Sequence, residues 1–285
     1  MARGEVDRMN TDSEVSRHYG RGNLLARLNA ALIADGVDPA HPTIEALAPY
    51  DQFHGRGLEA TLELAALVQV HPGDHLLDIG SGIGGPARYL ATRFDCRVTG
   101  IDLTSEFCDV ARHFTRVLGL EDRITFEVGD AVAMPFAAAS FDGAYSMNVS
   151  MNIADKDAFY RAIHRVLKPG AWLVLSEVAK GAGAEPDYPT PWASNPDTSF
   201  LSTPEETRRG LVEAGFDVVR LHSTLDESRA FAARSRAMVE RGEKPPQRAV
   251  TLIHGELATQ MTANASRGLA EGRMVPIEVL ARRRS

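Results

Sequence analysis

The fourteen residues from Leu76 to Tyr89 read Leu-Leu-Asp-Ile-Gly-Ser-Gly-Ile-Gly-Gly-Pro-Ala-Arg-Tyr, and the rest of the chain can be read outward from them. A short apolar run ends in Asp78 and meets a glycine cluster. Gly80, Gly82 and Gly85 stand in G-x-G-x-x-G spacing, and a helical pattern starts near Pro86. Such a run predicts a strand, a tight turn and a helix N-terminus, the cradle in which a nucleotide-like ligand lies against bare backbone. The pattern repeats downstream. Strands are expected at His75–Ile79, Arg97–Asp102, Ile124–Val128, Gly143–Met147 and Trp172–Glu177, with helices at Pro86–Thr92, Ser105–Val117 and Lys156–Leu167. Strands alternating with helices predict a parallel, doubly wound α/β sheet.

Asp78 sharpens the ligand class. A pyrophosphate at the glycine loop would meet its carboxylate, and like charges at close range are costly. S-adenosylmethionine carries a sulfonium and an α-ammonium and no phosphate, so it suits an acidic strand end. Asp102 closes the next strand, 22 residues beyond Gly80, where a carboxylate accepts from ribose hydroxyls. A nicotinamide cofactor needs that group too, so Asp102 does not discriminate. A nicotinamide-dependent oxidoreductase and a catalytically silent cofactor-binding subunit stay open as other classes, the first opposed by Asp78.

Composition bounds the rest. The 285 residues, 44% of them hydrophobic, suffice for one large α/β domain with additions. A net charge of −7 and no basic run beyond Arg282-Arg-Arg284, expected as a solvated tail, argue against a nucleic-acid partner. Cys96 and Cys108 are too few for a disulfide framework and lack metal-ligand spacing, which with the absence of an apolar leader suggests a cytoplasmic chain without a metal. No apolar run approaches the roughly 18 to 20 residues of a membrane span.

Residues 1–14 read as disordered and 15–48 as helical, with Leu24, Leu28 and Leu32 on one face. A further helix is expected at Leu58–Val68. After Glu177 the rhythm breaks. The stretch 180–203, rich in Gly, Pro, Asp and Ser, has the length of a functional lid. A helix then starts behind Thr203, with Glu206 three residues on as a capping box, followed by a strand at Phe216–Leu221. Two helical stretches over 226–271, broken at Lys244-Pro-Pro246, precede a last strand at Met274–Ala281. That insertion suggests a cap over the site or a homodimer surface.

In order along the chain stand the glycine segment, Val98-Thr-Gly-Ile-Asp-Leu-Thr104, Val128-Gly-Asp-Ala131 with Met134-Pro-Phe136, Ser140-Phe-Asp-Gly143 and Val166-Leu-Lys-Pro-Gly170. Together they resemble the class I S-adenosylmethionine-dependent methyltransferases. Tyr50-Asp-Gln-Phe-His54, Ser150-Met-Asn-Ile-Ala-Asp-Lys156 and Pro191-Trp-Ala193 are similar to the sarcosine/dimethylglycine N-methyltransferase-like subgroup, although Asn148 stands where that subgroup often has His. The resemblance implies a seven-stranded, mostly parallel, Rossmann-like sheet with an antiparallel last strand. Residues 1–57 would form a helical lid and 58–285 the methyltransferase domain. It implies cofactor contacts from Asp78, Gly80, Ser81, Gly82, Asp102, Leu103 and Asn148, with Asp130 and Ala131 on the adenine.

On the acceptor side, Tyr50, His54 and Asn148 are the candidate catalytic groups, with His54 or Tyr50 able to take a proton from the acceptor. Tyr19, Met147, Met151 and Trp192 are the candidate lining residues, Trp192 in the lid loop. The acceptor would be a small molecule. A glycine-, sarcosine- or dimethylglycine-type substrate needs a cation for its carboxylate, and 50–54 and 147–152 contain none. Arg56, close by, is expected to face outward from a helix. The reading is therefore a larger, natural-product-sized acceptor, methylated at nitrogen or at an electron-rich ring carbon.

Overall fold

The computed structural model describes Glu14, His18, Tyr19 and residues 22–285. The disorder expected over 1–14 falls, but for Glu14, outside the described residues.

The helical reading of 15–48 becomes, in its described part, two helices, α1 (Leu24–Ala34) and α2 (Ile44–Asp51). Leu24, Leu28 and Leu32 bury one face of α1, as their spacing of four requires. Gly36 ends that helix in the left-handed region, a turn closed by the His41 amide on the Asp38 carbonyl at 3.0 Å follows, and the Thr43 hydroxyl accepts from the Ala46 amide at 3.2 Å to start α2. After α3 (Leu58–Leu67) come β1 (His75–Ile79), α4 (Gly85–Phe94), β2 (Arg97–Asp102), α5 (Ser105–Val117), β3 (Ile124–Val128) and β4 (Phe141–Met147). Next follow α6 (Lys156–Val166), β5 (Leu167–Lys180), α7 (Pro204–Glu213) and β6 (Phe216–Ser223). The expected two-part insertion is three helices, α8 (Leu225–Glu240), α9 (Ala249–His254) and α10 (Ala258–Ala270), before β7 (Met274–Arg283).

The seven strands lie in the order β3-β2-β1-β4-β5-β7-β6. The pairs from β3 to β5 are parallel and β7 runs antiparallel to both its neighbours. This is the class I methyltransferase, Rossmann-like arrangement. Successive strand residues alternate between two cores. Leu76 and Val174 pack under α3 and α4 with Leu64 and Leu90, whereas Leu77, Leu173 and Leu175 pack under α6 with Phe159 and Ile163. Arg282 and Arg283 end an interior strand of the sheet rather than forming a solvated tail. β7 runs to Arg283, where Arg282 donates to the Gly170 carbonyl at 3.0 Å and Arg283 to that of Leu167 at 2.6 Å. Among the described residues no helix is long and apolar enough to cross a membrane.

Candidate active site

Strand order reverses direction from β1, with β2 on one side and β4 on the other. At such a switch point the carboxyl ends of the strands open a crevice. Here that crevice is a cavity of about 750 Å³. One half is built from strand ends. Gly80 turns the chain off β1 at φ +70, and a Cβ there would overlap the Val149 side chain, so only glycine fits. Asp78 lies just before the turn, 2% exposed, and burial pushes its carboxyl up to about 8. Its Oδ2 is buried without a hydrogen-bond partner, as is the Ser81 hydroxyl. A buried carboxylate oxygen without a donor suits an incoming ammonium.

Asp102 closes β2. Its Oδ2 accepts from the Gly82 amide at 2.8 Å and its Oδ1 from the Thr104 amide at 2.8 Å. Those bonds fix the carboxylate plane and leave a lone pair on each oxygen for a diol. Asp130 accepts from the Val132 amide at 2.9 Å and lines the same half with Leu103 and Ala131. These residues fit a nucleoside with a cationic tail.

The other half is assembled from distant segments. His54 is buried, and its Nε2 donates to the Gly57 carbonyl at 2.9 Å. A carbonyl only accepts, so Nε2 carries the proton and Nδ1 keeps its lone pair. Burial holds the imidazole neutral, its pKa lowered to about 4. Asn148 sits at φ +58; its amide donates to the Ser176 carbonyl at 2.7 Å and its Oδ1 accepts from the Gly55 amide at 2.6 Å. Tyr19 donates its hydroxyl to Asn152 Oδ1 at 3.0 Å, and its ring meets Phe53 and Phe107 at centroid distances of 5.9 and 5.8 Å. Met147 and Phe200 complete this wall.

Three candidates lie elsewhere. Tyr50 does not line the cavity: its hydroxyl donates to Asp35 at 2.8 Å and its ring carries the Arg248 guanidinium at 4.5 Å. It is a packing residue, held protonated by burial and by Asp35 with its pKa raised to about 12. Met151 and Trp192 share a separate small core with Ala193 and Met274. The indole donates to the Ser199 hydroxyl at 3.0 Å, so Trp192 plugs the loop to the body of the protein instead of forming a lid face. Arg56 also departs from expectation. It is buried and makes a two-pronged pair with Glu63 at 2.6 and 2.7 Å, away from the cavity.

Conversely, Asp51, Phe53, Phe107, Asn152 and Phe200 line the cavity without having been singled out by the sequence. Phe53 and Asn152 fall inside quoted motif segments, whereas Phe107 reads simply as the apolar face of α5. Among the described lining residues there is no Lys or Arg, against carboxylates at Asp51, Asp78, Asp102, Asp130, Asp155 and Asp197.

Residues 77–175 match the family model described as a methyltransferase domain. The chain is 33% identical over 160 residues to an O-methyltransferase of Pyrenophora dematioidea, covering 56% of this chain and 60% of that one. It is 32% identical over 166 residues to methyltransferase GfsG of Streptomyces halstedii, covering 58% of each. It therefore spans a little under two thirds of the length of these curated relatives. Among solved structures, a phosphoethanolamine N-methyltransferase 2 of Haemonchus contortus with S-adenosyl-L-methionine superposes at a TM-score of 0.68 and 21% identity, over 85% of this chain and 58% of that one. At that identity the likeness concerns the fold.

Proposed function

We propose that the chain is a class I, S-adenosylmethionine-dependent methyltransferase, a reading its methyltransferase-domain match and its fold support, and that it methylates a small acceptor bearing no anionic group. Nitrogen or an electron-rich ring carbon of a natural-product-sized molecule is the target. The observation that carries this reading is the absence of Lys and Arg from the described lining of the cavity. A carboxylate or phosphate on the acceptor would have to be desolvated beside aspartates with no cation to receive it. The wall that remains, Tyr19, Phe53, Phe107, Met147 and Phe200, offers π faces and a soft thioether to an apolar or aromatic molecule.

The cofactor, when bound, supplies an electrophilic methyl group. Asp78 would hold its ammonium, Asp102 its ribose hydroxyls, and Asp130 with the Ala131 amide its adenine. Attack by the acceptor's lone pair or π electrons forms the new bond to the methyl carbon as the carbon–sulfur bond breaks, and the sulfur leaves neutral. The acceptor keeps the positive charge until it loses a proton. Neutral His54, with its Nδ1 lone pair, would take that proton; the rest of the acceleration comes from alignment and exclusion of water. Tyr50 has no part in this step.

The test is transfer of labelled methyl from S-adenosylmethionine to two panels. One holds tryptamine, indole and aromatic alkaloids, and the other glycine, sarcosine, dimethylglycine and phosphoethanolamine. Label is expected in the first panel alone. Efficient turnover of dimethylglycine or phosphoethanolamine would refute the anion-free acceptor. No transfer to either panel despite S-adenosylhomocysteine binding would favour a silent cofactor-binding role.

A further inference from the structure

The helical insertion α8–α10 contributes no described lining residue to the cavity, yet it grips the segment that presents His54. Gln247 lies in the turn between α8 and α9. Its side-chain amide donates both its hydrogens to main-chain carbonyls of that segment, to Gln52 at 2.8 Å and to His54 at 2.6 Å. Its aliphatic carbons cover Gly57, whose carbonyl receives the His54 Nε2 proton. The next residue reinforces the grip. The Arg248 amide donates to the Pro49 carbonyl at 2.6 Å, and its guanidinium lies over Tyr50 and pairs with Asp35.

From the opposite side the Gly55 amide is held by Asn148. The main chain of residues 52–57 is thus gripped by one amide side chain on the insertion and one on the turn after β4, while Thr61 and Glu63 of α3 hold its side chains. The segment needs that support, because Arg56 and Gly57 both have positive φ, at 65 and 52, and form no regular ladder.

We infer that Gln247 is a positioning residue for His54, and that the insertion serves the acceptor side of the site through it. The inference rests on the reading of His54 as proton acceptor. Without the two donated hydrogen bonds, the Gln52 carbonyl would turn to water, the His54 carbonyl would keep only the Gly57 amide at 3.1 Å, and the imidazole would lose its fixed aim. Few charges otherwise face His54. Arg56 on its own segment, paired with Glu63 of α3, adds to the lowering that burial imposes on His54, and Asp51 is paired with Arg88 of α4. Thr61 and Asn148, from the other neighbouring elements, are uncharged.

Two measurements on the ligand-free full chain test the clamp: hydrogen exchange of the 53–57 amides and the His54 imidazole titration by NMR. In Gln247→Leu, exchange there should quicken about tenfold or more, one hydrogen bond's worth of protection. The imidazole should titrate nearer the ordinary histidine value as water enters, while S-adenosylhomocysteine affinity stays within threefold. Gln247→Lys, whose flexible ammonium restores donors one bond farther out, should return exchange toward the wild-type rate.

Wild-type exchange and titration in Gln247→Leu would overturn the inference. So would an equal loss of S-adenosylhomocysteine affinity, which would mark a merely structural role. A wild-type chain unable to bind S-adenosylhomocysteine would instead overturn the proposed function, and the exchange and titration would still decide the clamp.

Discussion

The two halves of one cavity are made in opposite ways. The cofactor half takes Asp78, Gly80, Ser81, Gly82, Asp102 and Asp130 from the turns that follow three consecutive strands, β1 and β2 being laddered on both sides and β3, at the sheet edge, on one. The acceptor half takes Tyr19, His54, Phe107, Asn148, Asn152 and Phe200 from five separate segments. They are held by single side-chain hydrogen bonds such as Tyr19 to Asn152 and Gly55 to Asn148. A sheet edge gives the same ligand geometry to any chain with this topology, while a cage of loops can be rebuilt without disturbing the sheet. The cofactor half is thus suited to one fixed ligand, and the acceptor half is where this chain sets its own specificity.

If that contrast is right, the joint between the halves should matter most for stability. Asp51, at the end of α2 on the acceptor side, pairs at 2.9 Å with Arg88 of α4 on the cofactor side, both side chains being essentially inaccessible. Gly85 lets the two helices meet, because a Cβ there would strike the Asp51 carbonyl. Arg88 also donates to the Ile83 carbonyl at 2.6 Å. Arg88→Met removes one partner of a buried pair and should cost about 3 to 5 kcal/mol at pH 7 in urea unfolding. Burial already raises the Asp51 pKa, so protonation should soften that loss at pH 5. A cost below about 1 kcal/mol would mean that the halves are not joined there.

Within the cofactor half, Asp102→Ala takes a charged acceptor from the place where two ribose hydroxyls are proposed to bind. Hydrogen bonds to charged groups contribute roughly 1.5 to 3 kcal/mol, so calorimetry should show about 10- to 100-fold weaker S-adenosylhomocysteine binding. The 53–57 amides should keep their exchange rates, since nothing in the acceptor half depends on this carboxylate. Unchanged affinity would remove the ribose assignment. Loosened exchange in the acceptor half would break the separation between the two halves.

This division also decides what a sequence can reveal. Asp78 and the glycines are neighbours in the chain, so the turn and its acidic edge can be read from adjacent residues, and period-2 and period-3.6 patterns locate the strands and helices around them. The acceptor half has no such local signature. Nothing near Tyr50 reveals that Asp35 and Arg248 will occupy its hydroxyl and its ring. The Pro-rich setting of Trp192 suggests a lid, but the indole is captured by Met151, Met274 and Ser199. Arg56 reads as an exposed charge until Glu63, one turn into α3, closes on it. Gln247 is an unremarked residue after a Pro-Pro break, and only the fold brings its amide to carbonyls nearly 200 positions away.

The smallest expected effect is the most discriminating, because it concerns a proton. Burial, with a smaller push from Asp102, raises the Asp78 carboxyl to about 8 against the opposing pull of Tyr145 and Arg88. At pH 7 ionising it in the empty site costs about 1.4 kcal/mol. An ammonium docking on Oδ2 favours the ionised form, so S-adenosylhomocysteine binding at pH 7 should release up to one proton. Affinity should rise with pH from 6 to 8, by at most about tenfold per unit. In the ligand-free chain the linkage runs the other way. A raised carboxyl pKa contributes stability that is present at low pH and is lost as pH rises through about 8. Glu177, raised to about 7 by burial, acts in the same direction. His54, lowered to about 4, loses stability only as pH falls below the ordinary histidine value and is silent above it. Asp78→Asn isolates the contribution. Calorimetry in buffers of different ionisation enthalpy should show the proton release vanish and the affinity become flatter with pH. If the variant still releases a proton at pH 7, the ammonium is held elsewhere, and the acidic strand end has no share in choosing the cofactor.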